Sequence, residues 1–229
     1  MCIRDRYSEG LDEVLKGVDL VIEPGEKIGV VGRTGAGKSS LTLALFRMLE
    51  ASRGKIVIDD IDISKIGLNQ LRSVITIIPQ DTVLFAGSLR GNIDPFNELM
   101  DEEVRGVLKG ARLDKYSDLE MKVEEDGSNF SSGEKQLLCL ARALCKHSKL
   151  VVMDEATASV DTETDAMIQE TVRKAFREST VITIAHRLQT VMDCDRVLVM
   201  EEGKVKEIGV PQQLAQDPQS HLYKMLNVK

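Results

Sequence analysis

Apolar residues fall along this chain in two rhythms that alternate. Residues 18–22 and 27–31 are runs of strand length on either side of Glu23-Pro24-Gly25-Glu26, whose Pro-Gly pair marks a turn. Residues 41–49 form an apolar stretch of helical length, expected to be buried on most sides. Residues 56–58 predict another strand before the acidic turn Asp59-Asp60, and 74–78 a strand stopped by Pro79. After Gln80 the texture changes. The spacing of Val104, Val107, Leu108 and Ala111 predicts a helix over 101–113 with Asp101 as its N-cap. A second helix over 131–145 carries Leu137, Leu140, Ala141 and Leu144 on one face, and the polar loop 124–129 separates the two. A mainly helical subdomain is therefore expected over 80–145. The β/α alternation then resumes, with a strand at 150–153, a helix at 161–177 and a strand at 181–184. Strands at 196–200 and 205–208 flank Glu201-Glu202-Gly203-Lys204, and a helix follows Pro211. Such alternation predicts an α/β fold with a largely parallel sheet, built from 1–79 and 146–229, and helices on both faces. No internal repeat or low-complexity tract interrupts it.

Composition narrows the class. The 229 residues are 42% hydrophobic and 29% charged, the balance of a soluble globular domain. No apolar run approaches the roughly 18–20 residues that span a bilayer. The first six residues, Met-Cys-Ile-Arg-Asp-Arg, lack the apolar centre of a signal peptide and are expected to be a non-native addition. A net charge of −7 counts against broad binding to a nucleic-acid backbone, and 3% aromatic residues with no Trp leave few platforms for stacking bases. Cys2, Cys139, Cys145 and Cys194 show no C-x-x-C spacing, which counts against zinc and a disulfide framework and fits a reducing cytosolic setting.

Candidate chemistry begins where the run 27–31 ends. Gly32-Arg33-Thr34-Gly35-Ala36-Gly37-Lys38-Ser39-Ser40 fits G-x-x-x-x-G-K-[ST] between a strand and a helix, the context in which that pattern binds phosphate. Glycines let the backbone curl its N–H groups inward around a phosphate chain. The helix N-terminus adds positive potential, Lys38 can reach the outer phosphates, and the Ser39 hydroxyl suits Mg²⁺. The alternative is a glycine-rich turn with no ligand. Leu150-Val151-Val152-Met153-Asp154-Glu155 is an apolar strand ending in two acids. Asp154 is placed to hold Mg²⁺ directly or through water, and Glu155 to take a proton from an attacking water. A plain acidic strand end is the alternative. Ser131-Ser132-Gly133-Glu134 has the form of a capping box, and a helix start with Ser and Gly at its mouth is also an anion site.

Together, the P-loop at 32–39, Gln80, Phe130-Ser131-Ser132-Gly133-Glu134 and 150–155 resemble the nucleotide-binding domain of an ABC transporter. Ala158-Ser159-Val160-Asp161 resembles that family's D-loop, and His186 in Ile184-Ala185-His186-Arg187 its switch histidine. All six motifs stand in the family's order over nearly the whole chain. RecA-type ATPases and P-loop kinases lack a signature helix just before the Asp-Glu strand. The wording of 32–39, 85–96 and 136–144 is similar to the C subfamily, the multidrug-resistance-associated type, and to its second nucleotide-binding domain. An intact Glu155 agrees, because the first domain of that subfamily often has Asp there.

The resemblance implies a P-loop NTPase with a RecA-like core, an antiparallel β portion and an inserted α-helical subdomain. It implies ATP and Mg²⁺ as ligands, with Tyr7 stacking on adenine and residues 32–40 around the phosphates. Ser39, Gln80 and Asp154 would hold Mg²⁺, while Glu155, Gln80 and His186 would serve hydrolysis. Outside the motif, Tyr7 would read as an ordinary exposed tyrosine and His186 as a structural histidine. Two such domains, a heterodimer within a full-length transporter, would close head to tail, with Ser131 and Gly133 serving the ATP on the partner. Closure would drive membrane domains at the cytoplasmic face, as in an exporter. The competing class is a soluble ABC-type ATPase or ATP-gated regulatory module. The acidic balance and the lack of sustained heptads count against its nucleic-acid-binding and coiled-coil branches. Two departures from the family pattern carry expectations. The signature reads Phe-Ser-Ser-Gly-Glu rather than Leu-Ser-Gly-Gly-Gln, so Glu134 is expected to bring negative charge near a phosphate. No strand is expected before Tyr7, so the chain reads as a fragment.

Overall fold

The structure is a computed structural model and describes residues 2–5, 13–146, 148–154, 162–185 and 187–227. Its first part contains β1 (Cys2–Asp5), β2 (Leu15–Asp19), β3 (Lys27–Val31), α1 (Lys38–Leu45), β4 (Arg53–Lys55), β5 (Val57–Ile58) and β6 (Ile61–Asp62). Next come α2 (Leu68–Val74), β7 (Ile75–Ile78), β8 (Gly87–Ser88), α3 (Leu89–Ile93), α4 (Asp101–Gly110), β9 (Lys122–Val123) and α5 (Ser132–Cys145). The remainder is β10 (Leu150–Asp154), α6 (Thr162–Ala175), β11 (Thr180–Ile184), β12 (Arg196–Glu201), β13 (Lys204–Gly209), α7 (Pro211–Leu214) and α8 (His221–Leu226). Among the described residues no helix is long and apolar enough to cross a membrane.

The central sheet has the order β13-β12-β3-β11-β10-β7, parallel throughout except for the β12–β13 hairpin. Side chains alternate faces along a strand, and here the alternation separates two cores. Val151 and Met153 of β10 face a core shared with α3, α4, α5 and α6, while Leu150 and Val152 face one shared with α1 and the antiparallel strands. Val197 and Val199 of β12 turn to a third, smaller cluster closed by Leu222 of α8. Covering both faces is what makes the inner strands read as unbroken apolar runs.

Several expected boundaries move, each for a local reason. The expectation that no strand precedes Tyr7 is overturned: β1 pairs antiparallel with β2 and with β4. Four residues are too few to show a period, and backbone pairing asks little of their side chains. Strand β2 lies at Leu15–Asp19 rather than 18–22 because Gly17, at φ 85°, is an extra residue in the ladder. That bulge lets Leu15 and Val18, three apart, both be buried while Val21 stays 68% exposed. Helix α1 opens at Lys38 and ends at Leu45, before Arg47 turns left-handed at φ 50°. In α4 the N-cap is Met100, not Asp101; the Glu103 carboxylate accepts from the Met100 N–H at 2.7 Å, and Arg112 at φ 58° ends the helix early.

The turn before β3 is tied to β12 by one ion pair. The Arg196 guanidinium donates through Nε and Nη2 to the two oxygens of Glu26, the latter at 2.9 Å, and Nη2 also reaches the Val21 carbonyl at 2.7 Å. Arg196 holds the Glu26 carboxyl below its ordinary range. A carboxylate with a depressed folded pKa contributes stability that is full above the unfolded pKa and is lost as pH falls through the folded value. Glu26→Gln is therefore expected to cost about 1–2 kcal/mol near neutrality and much less near about pH 3. Urea unfolding at both pH values checks this, and an equal loss at both would refute it.

Candidate active site

Sheet order assembles the site from distant stretches of chain. Strands β3, β11, β10 and β7 lie side by side and parallel, with Val30 opposite Ile184, Ile184 opposite Asp154, and Met153 opposite Ile78. Their carboxyl ends therefore deliver the P-loop, Ala185, Asp154 and the Pro79-Gln80 turn to one edge. That is where ligands sit in open α/β sheets.

The P-loop itself is tightly drawn. A Cβ on Gly32 would lie 2.4 Å from the Met200 carbonyl oxygen, so only glycine lets the loop leave β3 against β12. Gly37, at φ 100°, is the N-cap of α1 and turns the chain into the helix in a conformation that other residues rarely adopt. The β12–β13 turn supports the loop from behind: Gly203 N–H donates to the Ala36 carbonyl at 3.0 Å, and Lys16 N–H donates to the Gly203 carbonyl at 2.8 Å. Arg33, Thr34, Gly35 and Ser39 are exposed on the open side, whereas Ala36, Gly37, Lys38 and Ser40 are buried.

Charge is concentrated at the mouth of this loop. Lys38 is buried, and its Nζ donates to the Gly32 carbonyl at 2.8 Å. Burial lowers the Lys38 pKa, and the neighbouring Asp154 carboxylate opposes that shift. Burial raises the Asp154 pKa, and Lys38 opposes it in turn. The pair thus places a cation and an anion in a partly desolvated setting at the head of β3 and β10. A polyanion with a divalent cation satisfies both. Gln80 is exposed just beyond β7, and Gln136 of α5 donates to the preceding Pro79 carbonyl at 3.4 Å, linking that turn to α5.

The second candidate cluster lies at the start of α5. Ser131 is the N-cap of α5, and both halves of the capping box form: the Glu134 N–H donates to Ser131 Oγ at 3.3 Å, and Ser131 N–H to Glu134 Oε2 at 2.8 Å. Gly133 sits in the first turn. The negative charge expected of Glu134 has partners in the structure. Lys115 and Tyr116 both donate to its Oε1, Tyr116 at 2.5 Å. Burial would raise its pKa, but these bonds and those from Ser131 outweigh burial and bring it down to about 2. Tyr7, Glu155, Ala158-Ser159-Val160-Asp161 and His186 lie outside the described residues. Sequence reasoning missed Lys115 and Tyr116, which belong to no contiguous motif, and gave no role at the site to Gln136 or to Gly203, although it marked the stretches that contain them.

Residues 15–158 match the family model described as ABC transporter. The chain is 53% identical over 226 residues to multidrug resistance protein mrp-7 of Caenorhabditis elegans, covering 96% of this chain and 15% of that one. It is 56% identical over 214 residues to ATP-binding cassette sub-family C member 2 of Rattus norvegicus, covering 91% and 14%. It is 52% identical over 226 residues to the metal resistance protein YCF1 of Saccharomyces cerevisiae, covering 96% and 15%. It therefore spans only about one-seventh of these relatives. A structure of a bacterial Atm1-family ABC exporter with ATP bound superposes with a TM-score of 0.89 at 32% identity, over 99% of this chain and 41% of that one. With the P-loop, the Asp154 strand and the capped α5 in their places, the chain belongs to the ABC transporter family, as a nucleotide-binding ATPase domain.

Proposed function

We propose that this chain is the second, C-terminal nucleotide-binding domain of an exporter of the multidrug-resistance-associated type, acting at the cytoplasmic face of a membrane. The relatives named above support the subfamily, and the retained Glu155 supports the second position within it. Residues 80–145 are read as a helical subdomain set into a P-loop core. The single observation that carries the reading is the convergence of the P-loop, Asp154 and Gln80 on one edge of a parallel sheet.

In this reading residues 32–40 wrap the phosphates, Lys38 moves its ammonium from the Gly32 carbonyl to the β- and γ-phosphates, and Tyr7 stacks on adenine. Ser39, Gln80 and Asp154 are oxygen donors of the kind a hard cation takes, which fits Mg²⁺. When bound, that ion neutralises charge along the phosphate chain. Glu155 accepts a proton from the attacking water, and His186 contacts the γ-phosphate and orients that water. Ser131 and Gly133 meet the ATP of a partner nucleotide-binding domain at a helix N-terminus. Closure of the two domains then moves transmembrane domains of the same transporter.

The test is ATP binding and phosphate release by the chain with Mg²⁺ over a range of protein concentrations. The expected result is saturable binding; turnover per molecule that rises with concentration shows two copies completing each other's sites, and binding without turnover assigns that completion to the partner domain. Failure to bind ATP at any concentration would overturn the reading.

A further inference from the structure

Glu134 is the only acid in the first turn of α5, the end at which the helix is most positive. An unneutralised carboxylate there would oppose any phosphate that the helix is to meet. Its surroundings show how the fold deals with this. After α4, the left-handed Arg112 and the buried Leu113 and Leu119 turn the chain so that residues 115 and 116 lie beside α5. Lys115 and Tyr116 hold Oε1, while Ser131 holds Oε2 through its N–H and through Oγ at 2.7 Å. The cluster is anchored below: the Tyr116 ring meets buried Phe130 edge to face, centroids 5.4 Å apart. The Lys115 ammonium lies 5.0 Å from the Tyr116 ring centre.

We propose that Lys115 and Tyr116 are positioning residues for the half-site that α5 offers to a nucleotide on a second domain. They draw the Glu134 carboxylate to the flank of the helix and neutralise it, so that Ser131 and Gly133 face phosphate without an opposing charge. The inference rests on the half-site role given above to Ser131 and Gly133. Lys115 acts through Glu134 and touches no ATP. Its side chain is 63% exposed, so its pairing contributes little to folding, and a purely structural role predicts almost no effect on its removal.

The experiment compares the chain with Lys115→Met, Glu134→Gln and the double variant, all carrying Glu155→Gln to hold ATP. Affinity for a fluorescent ATP analogue is read at low protein concentration, and MgATP-driven self-association by sedimentation. Glutamine keeps the capping box while removing the charge. The expected result is unchanged analogue affinity in all four, with an unchanged melting temperature for Lys115→Met and a lower one where Glu134→Gln gives up charge-assisted bonds. Lys115→Met weakens association by about tenfold, more at low salt, as an exposed carboxylate near phosphate should. Glu134→Gln associates at least as well as its parent, and the double variant matches Glu134→Gln. An equal loss from Lys115→Met with and without Glu134 would overturn the inference, as would no loss at all. ATP binding without association of the parent protein would overturn the half-site role and the inference with it. Absence of analogue binding would instead refute the ATP reading itself.

Discussion

Glu155→Gln is expected to slow ATP hydrolysis by about a hundredfold to a thousandfold while leaving ATP affinity within about twofold. Strand β10 is buried on both faces and is locked in register between β7 and β11. A strand held this way has no freedom to slide, so Asp154 arrives at the sheet edge opposite Ile184, and Glu155 is the residue that follows it in the sequence. Glutamine preserves shape and hydrogen bonding but cannot take a proton from water. Binding by a fluorescent nucleotide and turnover by phosphate release, measured on the same preparation, separate the two effects. Undiminished turnover would remove Glu155 from the role of base.

Lys38→Met is expected to lower ATP affinity by about a hundredfold or more, since it deletes a buried cation at the P-loop mouth. Stability without nucleotide should change by less than about 1 kcal/mol. The sign follows from the pKa shift. Burial depresses the Lys38 pKa, so its charged form costs stability below the unfolded pKa, and that cost fades as pH rises toward it. Methionine removes the cost. Asp154 then loses the cation that opposed the rise in its pKa, so its own burial cost grows against the cost that methionine removes. The net change is therefore small. Thermal unfolding with and without MgATP reads both quantities. The parent protein gains about 2.7 kcal/mol at a hundredfold excess over its dissociation constant, and the variant gains almost nothing at that nucleotide concentration. Equal stabilisation of the two proteins, or collapse of the variant without nucleotide, would refute the assignment.

Much of this site was legible because its parts are contiguous. The P-loop, the acidic end of β10 and the capping box of α5 each lie within a few neighbouring residues, and the structure places the described members of each where the sequence predicts. The helical stripe of 131–145 and the strand 27–31 were equally plain, because the first carries a helical repeat and the second is an unbroken buried run after Lys27. Short elements were not. Helices α2 and α3 have seven and five residues, about one or two turns, and carry too little period to stand out. The bulge at Gly17 broke the alternation that would have located β2.

By itself, then, the sequence determined the family, the α/β class and the local chemistry of phosphate binding, because a loop that wraps a phosphate is written in consecutive residues. Only the tertiary structure decided that Glu134 is paired with Lys115 and hydrogen-bonded by Tyr116, that Gln136 steadies the Gln80 turn, and that Gly203 backs the P-loop. These partners lie up to 167 residues apart, as Gly203 does from Ala36 by subtraction of their positions. What brings them together is the packing of whole helices and sheets, and no short stretch of sequence carries that information.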